Sequence, residues 1–99
     1  MAGGFHIRED SYVGMGSQFF HPIANAALPQ FSQKFGREWA ENAPSDIDIL
    51  QTMDFWDLTP EQFMFAYGEL ERVVLGFGWA NIWQEMEEQF KQDPRFITA

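Results

Sequence analysis

The chain has 99 residues, 45% of them hydrophobic and 17% aromatic, with no cysteine and a net charge of −9. That length suits one compact domain, 1–99, and the eleven Phe, four Trp and two Tyr set it apart from disordered acidic chains, which are too poor in aromatics to offset chain entropy. Without cysteine there is no disulfide framework, no Cys-type zinc site and no thiol nucleophile, and the acidic balance argues against direct contact with nucleic-acid backbones or anionic lipid.

Residues 1–21 read as an N-terminal arm or short β-hairpin. Phe5-His6-Ile7-Arg8 alternates apolar and polar, Glu9-Asp10-Ser11 can turn, and Tyr12-Val13 is β-prone, although Gly14 and Gly16 weaken a second strand. The segment Met1–His6 lacks the basic-then-apolar pattern of a secretory signal, and the longest apolar run, Val73-Val74-Leu75, is far below a membrane span. A cytoplasmic setting is the expectation.

Residues 22–99 read as helical, giving a mainly α bundle of about four helices. Leu28, Phe31, Phe35 and Trp39 recur at spacings of three and four and predict a helix over about 29–41, stopped by Asn42-Ala43-Pro44. Ser45 is placed to cap a short helix over 46–53, with Asp48 reaching back and Ile47, Leu50 and Met53 facing inward. Asp54-Phe55-Trp56-Asp57-Leu58 reads as a connector. Thr59-Pro60-Glu61-Gln62 is the sharpest local signal: an N-cap, a proline at the first helical position, an acid that complements the dipole and a glutamine that closes a capping box. Phe63, Ala66, Tyr67, Leu70, Val73, Val74 and Phe77 then form one stripe.

Beyond Gly76 the apolar phase changes. Trp79, Ile82, Trp83, Met86 and Phe90 lie roughly opposite the preceding stripe at about 100° per residue. Gly76 and Gly78 mark a turn or sharp kink, with a last helix over about 79–92 that stops before Pro94. The alternative is one continuous helix covered on both sides, which implies a homodimer.

No reaction-bearing motif emerges. Asp46, Asp48, Asp54 and Asp57 resemble a calcium loop only until positions 5, 6 and 12, where Leu50, Gln51 and Asp57 stand in place of an oxygen ligand, glycine and glutamate. His6 and His21 have no ligand partners at metal spacing. Gly14-Met15-Gly16-Ser17 is neither a serine elbow nor a phosphate loop. Glu85, Glu87 and Glu88 belong to a solvated helix face. No nucleophile, base and orienter can be assembled, so the chain is read as a non-enzyme with no cofactor and no metal.

What remains is charge. Residues 38–71 carry nine acids (Glu38, Glu41, Asp46, Asp48, Asp54, Asp57, Glu61, Glu69 and Glu71) and no Lys or Arg, while the flanks nearly cancel at +1 and −1. A field so concentrated steers encounters with cationic partners. Trp56, flanked by Asp54 and Asp57, and Phe65, off the inward stripe of its helix, are the expected exposed anchors. Asp46, Asp48, Asp54, Asp57 and Glu61 are expected to form one electronegative face around Trp56, since aromatic anchors supply affinity and rim charges supply on-rate. The expected function is a small acidic inhibitory protein that covers a basic protein surface. By size and charge alone this is similar to immunity proteins against nuclease toxins and to phage proteins that block host defence nucleases. The alternative is a structural, assembly or adaptor module that oligomerises through aromatic helices.

Overall fold

In the computed structural model the order is β1 (Ala2–Arg8), β2 (Ser11–Gly16), α1 (Ser17–Phe35), β3 (Pro44–Ile47), β4 (Leu50–Asp54), α2 (Pro60–Gly76) and α3 (Ala80–Lys91). The structure describes residues 2–8, 11–36, 44–47, 50–55 and 58–96, with backbone alone for Ala2, Arg8, 44–47 and 50–52. Helices of 19, 17 and 12 residues outweigh strands of 7, 6, 4 and 5, so the protein is mainly helical with a small sheet. Two expectations are corrected. Three helices, not four, lie among the described residues, and the sheet extends beyond an N-terminal hairpin.

The sheet order is β2-β1-β4-β3. Each outer pair is antiparallel, and the two pairs meet through a parallel joint between β1 and β4. The helix expected over 46–53 is therefore two strands. Ser45 and the acids do favour a helix N-terminus locally, but β1 has a second edge that needs a partner, and the β-branched Ile47 and Thr52 suit a strand equally well. Pro44 sits at the start of the outermost strand, where a missing N–H costs no ladder bond.

Helix α1 starts at Ser17, inside the expected arm, and runs through Pro22 and Pro29. Each proline removes the bond to the carbonyl four residues earlier, at Gln18 and Asn25, and both of those residues are exposed, so water can take the donor's place. The buried face of Phe20, Ile23, Ala24, Ala27 and Phe31 holds the helix in spite of that loss. It ends at Gly36, before the expected stop near Glu41, and Trp39 lies outside the described residues.

Helix α2 starts as its sequence dictates. The Gln62 N–H donates to Thr59 Oγ1 at 3.2 Å, and the Thr59 N–H donates to Gln62 Oε1 at 3.0 Å. Phe63, Ala66, Leu70, Val73 and Val74 are buried. The chain then turns through Phe77 and Gly78, whose φ of 80° is a left-handed conformation that glycine adopts without a Cβ clash. The turn re-aims α3, so that Trp83, Met86 and Phe90 reach the same core from another side. Phe77, expected on the inward stripe, falls on the turn and is 45% exposed.

The three described helices share one core with one face of the sheet. Phe5 and Ile7 of β1, Val13 of β2 and Met53 of β4 form the sheet's part of a single hydrophobic cluster that also takes in Phe31, Phe63, Leu70 and Phe90. Phe5 stacks on Phe55 at 5.9 Å and meets Phe20 at 5.1 Å.

Candidate functional site

Strand alternation turns the other set of side chains to the opposite face of the sheet. His6 pairs with Tyr12 on one side and Asp54 on the other, so these three side chains form a row across β2, β1 and β4. His6 Nδ1 donates to the Asp54 carboxylate at 2.9 Å, and its ring lies 4.7 Å from that of Tyr12. Tyr12 lies across Gly4: a Cβ at Gly4 would come 2.6 Å from the phenol and 2.3 Å from the Val13 carbonyl, which only glycine avoids. Burial pushes the Tyr12 phenol above its ordinary range.

Beyond β4, the residues flanking Trp56 and Asp57 are pinned. Phe55 and Leu58 are buried, and the Leu58 N–H donates to the Phe55 carbonyl at 3.3 Å. The pin is Arg95, from the segment after α3. Its Nη1 donates to the carbonyls of Phe55 at 2.7 Å and Leu58 at 3.0 Å, and its Nη2 donates to Ile7 at 2.8 Å. Nε and Nη2 also bind the carboxylate of buried Asp93 at 2.9 and 3.0 Å, and the guanidinium sits 4.2 Å from the centre of the Phe63 ring. One cation thus ties the ends of β1 and β4 to the first turn of α2. Sequence reasoning missed it because its carbonyl acceptors lie 37 to 88 residues away. The only local trace is an acid and an arginine flanking Pro94.

The expected site residues divide four ways. Asp54 and Glu61 stand on either side of the pinned connector, Asp54 engaged by His6 and Glu61 exposed in the first turn of α2. Phe65 is half-buried rather than exposed. Its ring packs against Phe35 at 5.5 Å and Phe31 at 6.3 Å, with the Lys34 ammonium 5.5 Å from its centre. The helical stripe missed this because α1 passes alongside and covers Phe65 from outside its own helix. Asp46 lies on β3 opposite Gln51, not on a helix N-terminal turn, because the outer antiparallel pair claims its backbone. Asp48, Trp56 and Asp57 lie outside the described residues.

Other polar groups serve the packing. Tyr67 Oη donates to Glu87 Oε2 at 2.8 Å. Burial, then that bond and the nearby charges of Glu87 and Glu71, push its phenol up to about 12. Ser11 Oγ donates to Gln89 and ties β2 to α3. Among the described residues no group of three or more His, Asp or Glu could hold a metal ion, and no helix is long and apolar enough to cross a membrane. In comparisons with known proteins, no family model, no curated protein and no solved structure matches this chain.

Proposed function

We propose that this protein is an inhibitory binding protein that covers a basic surface of a partner protein, of the kind that silences a nuclease toxin or a host defence nuclease. The observation that carries the reading is the charge of residues 38–71: nine acids with no Lys or Arg among them. A surface made only for solubility mixes signs, and an uninterrupted run of one sign raises the encounter rate with the opposite sign. The pinned connector supports the reading. Phe55 and Leu58 are fixed by Arg95, so Asp54 and Glu61 on either side of them stand on a preformed support, and preformed surfaces lose less entropy on binding.

The test uses charge reversal away from the His6–Asp54 pair, with the fold of the variant checked by circular dichroism. Asp54 is engaged by His6, so the reversals go to Asp57 and Glu61. The immobilised protein is used to capture its partner from its own source cells at low salt, and the partner is then purified. Association with Asp57→Lys plus Glu61→Lys should be slower than with wild type by about tenfold or more, with a flatter salt dependence, and the partner's nuclease activity should be restored. Unchanged association rate and affinity would overturn the proposal.

A further inference from the structure

The chain has two histidines, and the fold uses them differently. His21 lies half-buried on α1, its ring beside that of Phe20. His6 lies at the end of the parallel joint, opposite Asp54 of β4, and its Nδ1 donates to the Asp54 carboxylate at 2.9 Å. The Phe55 N–H donates to the His6 carbonyl at 2.8 Å, so the backbone also ties His6 to the start of the connector. The two side chains of the pair are 21% and 19% exposed, enough to exchange protons with solvent and to meet a partner.

Three strands set the surroundings of the imidazole. Asp54 of β4 presents its carboxylate, Tyr12 of β2 presents a phenol ring 4.7 Å away, and Arg8 is the other ionisable residue of β1. The Tyr12 phenol is already pushed above its ordinary range, so it is neutral at and below neutral pH, and an arginine is charged throughout. Imidazole is the side chain whose charge ordinarily changes between pH 5 and 8. In the row formed by Tyr12, His6 and Asp54, the imidazole is therefore the first group to change charge as a neutral solution is acidified.

We propose that the His6–Asp54 pair is a pH-sensitive gate on the capture of a cationic partner. The gate rests on the reading of the acidic stretch as the capture surface. A neutral His6 donates its hydrogen bond without charge, and Asp54 keeps its full negative charge toward a Lys or Arg of the partner. A protonated His6 places a positive charge beside the carboxylate. The pair then has no net charge, and the ring repels the cation that the carboxylate attracts. The hydrogen bond exists in both states, so the fold does not have to move. Neutral pH captures and acid releases. One unit of charge about 7 Å from a cation of the partner, in water, is worth about threefold in affinity.

The probe is a labelled octalysine peptide, and its binding to the full chain at low salt is followed by fluorescence anisotropy at about pH 8 and about pH 5.5. His6→Gln keeps a donor for Asp54 without titrating, and His21→Gln is the control. The fold of each variant is checked by circular dichroism and thermal melting. On acidification the wild type and His21→Gln should lose about threefold more affinity than His6→Gln. A second measurement needs no variant at His6. Coupling is reciprocal, so a proton that weakens the peptide is weakened by it equally, and saturating peptide should lower the pH midpoint of the His6 ring, followed by NMR, by about 0.5. No binding of the peptide at the higher pH would overturn the reading of the acidic stretch and the gate with it. Binding whose loss in acid is the same in the wild type and in folded His6→Gln, or a His6 midpoint that bound peptide leaves unmoved, would overturn the gate alone.

Discussion

Replacing Arg95 with Met tests the clamp. Arg95 is 16% exposed in its side chain and the Asp93 carboxylate 2%, so the pair is largely removed from water. Deleting one member of a buried pair costs about 3–5 kcal/mol, because the remaining charge keeps its desolvation penalty. The carbonyls of Ile7, Phe55 and Leu58 also lose a charged donor, a bond type worth about 1.5–3 kcal/mol each when no water replaces it. The guanidinium is not sealed, so water can enter and offset most of that second loss. The methionine chain, for its part, keeps the apolar contact with Phe63. The net expectation is about 4 kcal/mol, a large part of the roughly 5–15 kcal/mol that holds a domain of this size. With a urea slope of about 2 kcal/mol per molar, the midpoint should fall by about 2 M at unchanged slope. Arg95→Lys keeps the charge but cannot span acceptors on three separate segments, so it should lose about half as much. Asp93→Asn combined with Arg95→Met removes the stranded charge and should cost less than the sum of the two single changes by about 1 kcal/mol or more. A midpoint shift under about 0.5 M for Arg95→Met would refute the reasoning, since solvent would then be satisfying Asp93 and all three carbonyls.

The other predictions test local chemistry. Thr59→Ala removes the acceptor of the Gln62 N–H at the start of α2 and should lower stability by about 1 kcal/mol in the same urea assay; no measurable change would mean that the capping box contributes nothing. The phenol of Tyr67 titrates at about 12 in the folded protein against an ordinary value of 10.0, so between those values the folded state holds a proton that the unfolded state has lost. Stability must therefore fall as pH rises from about 10, and the loss is complete once the pH has passed the folded value. Measured in a Tyr12→Phe background, Tyr67→Phe should flatten this alkaline decline, and an unchanged decline would assign it to other groups.

Local signals were legible where the structure is local. The Thr59–Gln62 box needs four consecutive residues and nothing else, and it is found as read. The phase change at Gly76–Gly78 was visible because the opposed stripes of α2 and α3 cannot both face one core along a straight axis. The reading failed where distant chain decides. Residues 44–54 carry a helix cap and acids that favour a helical turn, yet their backbone is taken by strands, and the partner that settles it, β1, is some fifty residues earlier. Prolines at 22 and 29 hid the start of α1, because sequence alone does not reveal that Gln18 and Asn25, whose carbonyls they strand, are exposed. The same distance hid both polar features of the candidate site. His6 and Asp54 are 48 residues apart, and Arg95 reaches back 88 residues to Ile7.

Where the cations go bears on what the acids are for. The chain has only six Lys and Arg against fifteen acids. Of the four whose side chains are described, Arg95 is spent inside on Asp93 and three carbonyls, Arg72 on Glu69, Lys91 on Glu87 at 3.7 Å, and Lys34 lies over the Phe65 ring. None of these reaches Asp54 or Glu61. Asp54 is served instead by His6, an imidazole that can donate its hydrogen bond without carrying a charge. The fold thus places its described cations where they hold helices and strands together. On the proposed reading the acids of residues 38–71 are balanced from outside, by salt or by the Lys and Arg of another protein. On that reading added salt screens the attraction and weakens capture of a cationic partner, and a titration of ionic strength tests it.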